Sequence, residues 1–266
     1  MIDVWDLKSY GDDVSDYIQR HRRTIALHRE RALELDKLGP PIDPLTQIPT
    51  NEHYPAYMEA RDGLVPILRS QCFRAFHYTR MTDGEIDRIL RDGIRMTSLE
   101  LLRERLENAV SDNLLPRDLA ERIHSCSALR SPHEFGERQG FWTTACPIDV
   151  KDSAVEMLVA HWGGESSYFP FMGGSEDSAM LDVIRKIGRG RILEIEVPMS
   201  STKDTGPISA TRTVFDVVER SLGYKKPLAL DFNSLEPLPP EAIRRVISEG
   251  ERDYRGVAAG YNYATE

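Results

Sequence analysis

The chain has 266 residues, 29% of them charged, and a formal net charge of −9. That balance argues against a broad nucleic-acid-binding surface, and three unpatterned cysteines (Cys72, Cys126 and Cys146) argue against a disulfide framework and for a reducing compartment. No run approaches the ~20 apolar residues that span a bilayer, and the acidic opening "MIDVWDLKSYGDD" lacks the basic-then-apolar layout of a signal peptide, so the expectation is a cytoplasmic protein.

Residues 12 to 38 read as a helix, with Val14, Ile18, Ile25, Leu27, Leu33 and Leu35 set among charges. Arg20, Arg22 and Arg23, beside His21, form a small basic cluster whose plain reading is a solvated helix face and whose sharper reading is nucleic-acid contact. Five prolines in "GPPIDPLTQIPTNEHYP" rule out a helix there. The expected organisation is therefore a helical extension over 1–38, a proline-rich tether over 39–55 and an α+β domain over 56–266.

Within that domain, 73–79 reads as a strand. Thr82 and Glu85 fit a capping box, Met81 and Ile86 a hydrophobic staple, and Gly93 a helix stop. Thr97 with Glu100 suggests a second capping box, and Pro116 the first position of a further helix to about Ser125. "GFWTT" at 140–144 reads as a short strand. Val155, Leu158, Val159 and Trp162 fit one helical face, and Ser175 can cap a helix that stops at Gly188. "RILEIEVP" at 191–198 alternates as a strand should. A helix around 213–222, a strand at 227–232 and a last helix from "PLPPEAIRRVISEG" complete the reading. Without a regular βαβ rhythm, the pattern favours α+β over a doubly wound sheet.

"GRGRIL" lacks the third glycine of a dinucleotide fingerprint, and its strand follows when it should precede. "GGSED" lacks the closing glycine of a nucleophile elbow. His124, Cys126, His133 and Cys146 match no common zinc spacing. Three clusters remain. His77, Tyr78, Thr79 and Arg80 end a strand; the plain reading is a histidine satisfied by backbone. In "GFWTT" the plain reading is a core Phe and Trp. In "HWGGESSYF" two glycines deliver Glu165 between Trp162 and Tyr168, and the plain reading is a solvated glutamate. A carboxylate among glycines and aromatics is also a place for a ligand contact.

Taken in order, "FHYT", the capped helix ending "ILRDGI", "FWTT" and the closing "LEPLPPEAIRRVI" resemble the ADP-ribosyltransferase superfamily over residues 70 to 250. The chain is also similar to bacterial proteins bearing FHxTR and WGGExxY. The resemblance implies a split-sheet α+β domain that cleaves the nicotinamide–ribose bond of NAD, with transfer of ADP-ribose to a macromolecular acceptor or to water. It implies His77 holding the ribose, Thr79 or Arg80 near the phosphates with Tyr78 beside them, and Trp142 or Tyr168 stacking the nicotinamide. The carboxylate would come from Glu165, Glu196 or Glu194; the family's glutamate lies on a late strand, which suits the last two and leaves Glu165 as the departure. No metal is called for. The alternative is a non-catalytic nucleotide- or protein-binding module on the same fold.

Overall fold

A computed structural model describes residues 1–38, 50–131, 140–172, 178–225 and 228–258. It is mixed α and β, and the described strands form a five-stranded antiparallel sheet. In chain order the main elements are α1 (Asp12–Leu38), α2 (Tyr54–Arg69), β1 (Cys72–Met81), α3 (Asp83–Asp92), α4 (Leu99–Ser111), α5 (Arg117–Cys126) and β2 (Phe141–Thr144). There follow α6 (Glu156–Ala160), α7 (Glu165–Tyr168), α8 (Ser178–Arg185), β3 (Arg189–Pro198), α9 (Thr205–Ser221), β4 (Asp231–Ser234), β5 (Ile243–Ser248) and α10 (Tyr254–Ala258). No helix among the described residues is long and apolar enough to cross a membrane.

The chain forms two compact units. The first comprises Met1–Phe73, Pro198–Ser200 and Asp204–Leu230. In it α1, α2 and α9 pack on one another. Val14, Tyr17, Ile18 and Ile25 supply the buried stripe of α1, and the Tyr17 hydroxyl donates to the carbonyl of Ala60. His28 stacks on Tyr57 at 3.8 Å, and Tyr57 meets the edge of Phe215 at 5.4 Å. This corrects the expected division of the chain: residues 1–38 are not an appendage, because their apolar stripe is a wall of a three-helix core. Arg20 lies over the Tyr17 ring of its own helix, 5.3 Å from the centroid. Residues 39–49 of the expected tether lie outside the described residues.

The second unit comprises Arg74–Val197, Ser201–Lys203 and Asp231–Glu266. Its sheet has the order β4-β2-β1-β3-β5. Beside it Leu102, Leu106, Leu119, Ile123, Trp162, Phe171 and Ile184 form a helical core. The α3 capping box is present: Thr82 Oγ1 accepts from Glu85 N at 3.1 Å, and Glu85 Oε2 accepts from Thr82 N at 2.8 Å. Gly93 ends that helix at φ +83°, and a Cβ there would strike the Leu238 carbonyl, which accepts from Ile94 N at 2.7 Å.

Several expectations change. The last helix is a strand: Ile243 to Ser248 pairs antiparallel with β3, setting Val246 opposite Leu193 and Ile247 opposite Ile192. Its apolar spacing fits either period, and β-branched residues beside an open sheet edge settle on the ladder. Helix α4 is capped by Ser98, whose hydroxyl accepts from Leu101 N, and not by Thr97. The strand expected at 227–232 begins only at Asp231. The helix expected through Trp162 stops at Ala160. The Ser175 cap lies outside the described residues.

Candidate functional site

A cavity of about 580 Å³ opens in the second unit. Its walls come from the end of β1, from α3 and α4, from β2, and from the Gly163–Ser166 turn, with Asp231 of β4 also contributing. That volume lies within the ~300–1,000 Å³ range of small-molecule and cofactor sites. Strands β1 and β2 meet at Phe76 opposite Thr144. One residue further on, a side chain makes the link: His77 Nδ1–H donates to the Trp142 carbonyl at 2.9 Å.

That bond fixes the tautomer of His77. With Nδ1 carrying the proton, Nε2 keeps its lone pair. Water reaches the ring through the cavity, yet the surrounding walls strip much of its hydration. This burial draws its pKa from 6.5 to about 4; the bond to Trp142 opposes the shift, and the charge of Arg105 adds to it. At neutral pH the imidazole is an uncharged acceptor.

The ring beside His77 is Phe141, with centroids 4.4 Å apart. Alternation along β2 sends Trp142 to the other strand face, where its side chain is 43% exposed and Lys203 sits 5.9 Å from its centroid. Trp142 lines the cavity and supplies the carbonyl that holds His77, while the ring packed against His77 is that of Phe141. Tyr78 and Thr79 are buried at the wall. The Tyr78 hydroxyl is committed, donating to Ile148 O at 3.0 Å and accepting from Ile148 N at 2.7 Å; burial is the main reason its pKa is pushed up to about 12.

Comparison with protein-family models, curated proteins and solved structures finds no match for this chain.

Of the three candidate carboxylates, the cavity gathers Glu165 alone. It follows Gly163 and Gly164, whose φ angles of +89° and +69° let the chain reverse after α6. Glu194 pairs with Arg74 at 3.1 Å, and Glu196 accepts from Arg244 Nε at 2.8 Å; neither lines the wall. Arg80 is a clamp and not a phosphate ligand. Its Nε donates to Ile187 O at 2.9 Å, its Nη2 to Gly188 O at 3.0 Å and its Nη1 to Val159 O at 3.3 Å. Tyr168 is buried in the helical core, 5.3 Å from the His161 ring, and does not line the cavity.

The wall also holds charged residues without a site role in the sequence reading. Asp231 brings a carboxylate from β4, and Arg88, Arg105 and Glu85 come from α3 and α4. Glu85 is buried and accepts at 2.8 Å from Trp162 Nε1 and at 2.7 Å from Arg105 Nε, besides capping α3. Burial alone would raise its carboxyl. The charge of Arg105, with hydrogen bonds from Thr82, Trp162 and Arg105, outweighs that and holds it below the usual range. Arg105 also lies over the Trp162 ring at 5.2 Å. The alternation of "GFWTT" could have separated Phe141 from Trp142; nothing local in the sequence announces the contact between Glu85 and Trp162.

His124 faces Arg103 and Arg130, and His133 lies outside the described residues. No group of three or more metal-ligating side chains forms among the described residues.

Proposed function

We propose that the cavity binds NAD and cleaves its nicotinamide–ribose bond, passing ADP-ribose to a macromolecular acceptor or to water. The observation that carries the reading is the fixed, neutral His77, its Nδ1–H held by the Trp142 carbonyl, on the wall of the same cavity as Glu165.

Glycosidic cleavage of this kind passes through an oxocarbenium-like state. Nε2 of His77 accepts from a ribose hydroxyl and so fixes the sugar. Phe141 offers its ring to the departing nicotinamide. The Glu165 carboxylate stabilises the developing positive charge, or orients the attacking hydroxyl. When C1′–N breaks, the bonding pair leaves with nicotinamide, and an acceptor oxygen or nitrogen supplies the new bond to C1′ and loses a proton.

The test is nicotinamide release from NAD by the purified protein, with and without cell lysate as a source of acceptor. His77→Ala is expected to lower release by roughly 10²-fold, the scale of one well-placed polar group. Glu165→Gln is expected to lower turnover while sparing binding, because it keeps shape but removes charge. Glu194→Gln and Glu196→Gln are expected to leave turnover intact. If wild type releases none under either condition yet binds a nucleotide, the binding-module alternative replaces this reading.

A further inference from the structure

Among the described residues three arginines line the cavity, and two are committed. Arg95 donates to Glu104 at 2.6 Å and Arg105 Nε to Glu85 at 2.7 Å. The remaining acid on the α3 side, Asp92, is held by Arg91 at 2.7 Å. Arg88 differs. It is half-buried on the wall and has neither an ion pair nor a hydrogen bond among the described residues. Its Nη1 lies back along the first turn of α3, 4.0 Å from where a Cβ on Gly84 would sit.

Two further wall groups carry unused capacity. Arg105 Nη2 is buried without a hydrogen-bond partner, and so is Thr143 Oγ1, in a residue only 4% exposed. A guanidinium offers donors only. What would complete Arg88 and the idle arm of Arg105 is therefore an acceptor-rich, negatively charged group. Planar guanidinium forks match phosphate oxygens in charge and shape. The opposite wall, with Phe141 and the neutral His77, offers an aromatic face and a hydroxyl acceptor instead. The cavity thus presents one uncompensated guanidinium, Arg88, from α3, and an aromatic face with a neutral acceptor from β1 and β2.

We propose that Arg88 and Arg105 form a diphosphate subsite, so that the cavity takes a nucleoside diphosphate moiety with its phosphates on the α3–α4 side. For the rest of the ligand this rests on the NAD reading, and it gives that ligand's pyrophosphate the place that Arg80, spent on backbone carbonyls, cannot provide. Arg105 is mainly a structural partner of Glu85 and adds one arm; Arg88 is the residue free to respond to a ligand.

The experiment is calorimetric titration of the full-length protein with ADP, adenosine and inorganic pyrophosphate, in low salt and at ~0.15 M salt. Expected are ADP binding at least ten-fold tighter than adenosine, weakening as salt rises, and displacement of ADP by pyrophosphate. Arg88→Ala is expected to cut ADP affinity at least ten-fold, leave adenosine binding unchanged and leave the melting temperature unchanged, since Arg88 has no partner to lose. Arg88→Lys is expected to recover part of the loss. Equal binding of ADP and adenosine, absence of ADP binding, or undiminished ADP binding by Arg88→Ala overturns the subsite. Pyrophosphate bound as tightly as ADP would mark a free-phosphate site and overturn the nucleotide assignment. The two proposals fail separately. ADP binding that depends on Arg88, in a protein that releases no nicotinamide, removes the transferase and keeps the subsite. Nicotinamide release untouched by Arg88→Ala does the reverse.

Discussion

Replacing Glu85 by Ala removes an acceptor on which three neighbours depend. The carboxylate, 6% exposed, takes hydrogen bonds from Thr82 N, Trp162 Nε1 and Arg105 Nε at 2.8, 2.8 and 2.7 Å. Each charge-assisted bond is worth about 1.5–3 kcal/mol, and breaking a buried ion pair by removing one partner costs about 3–5 kcal/mol. These overlap, because Arg105 is counted in both. Its side chain is 21% exposed and regains some water, which pulls the total to the lower end. Glu85→Ala is therefore expected to cost about 3–4 kcal/mol, measured by urea unfolding followed by circular dichroism. Glu85→Gln keeps one oxygen for Trp162 and Thr82 and turns an amide towards Arg105, so about 1–2 kcal/mol is expected. The pH dependence has a fixed sign. The folded pKa of Glu85 lies below its ordinary 4.5, so its contribution is complete above that value and is lost as pH falls through the folded pKa. The gap between wild type and Glu85→Ala should narrow as the medium is acidified below about pH 4.5. A Glu85→Ala protein within about 1 kcal/mol of wild type at pH 7 would refute the reasoning, since no unpaired guanidinium and indole N–H would then be left at a cost.

Titration of His77 followed by NMR is expected to show an Nδ1–H tautomer, with protonation only near the value of about 4. Because the fold prefers the neutral ring, the stability this group contributes is full above its ordinary 6.5 and erodes as pH falls towards 4; an imidazolium at pH 6 would contradict the cavity's desolvation. Gly93→Ala forces a side chain at φ +83° into the Leu238 carbonyl, and a loss above about 3 kcal/mol is expected in denaturant unfolding. Gly164→Ala, at φ +69° with open space around it, should cost only about 1–2 kcal/mol for the left-handed backbone. Deleting residues 1 to 50 removes the buried stripe of α1, so loss of the cooperative melt is expected; a truncated protein that melts as sharply as the full chain would show that α2 and α9 close their core without it.

Signals that live within one turn or one strand were readable. The Thr82–Glu85 reciprocal bonds, the Gly93 stop and the alternation of β3 need only neighbours, and each is present. The 243–248 segment was not readable, because Ile243, Val246 and Ile247 satisfy both periods until β3 is beside them. The cavity was half readable. His77 and Glu165 stand in marked local contexts, a strand end and a double glycine. Arg88 looked like any exposed helix arginine, and only its lack of a partner, a three-dimensional fact, sets it apart. Strand parity sets the Phe141 ring, and not that of Trp142, on the face of His77. Glu194 and Glu196 were plausible until the strand brought Arg74 and Arg244 to them.

The interleaving of the two units has a consequence for biosynthesis. The first unit holds residues 1–73 but also 204–230, and the second needs 231–266 to complete its share. As the chain leaves the ribosome, α1 and α2 therefore wait for α9 through the synthesis of more than a hundred intervening residues, while the outer strands β4 and β5 emerge later still. Synthesis at ~5–20 residues per second leaves those apolar stripes open for several seconds or longer. The first unit therefore cannot be finished and handed on as a folded block before most of the second has been made. A nascent chain arrested near residue 200 should then be protease-sensitive throughout its first helices, and release of the last sixty or so residues should close both cores almost together.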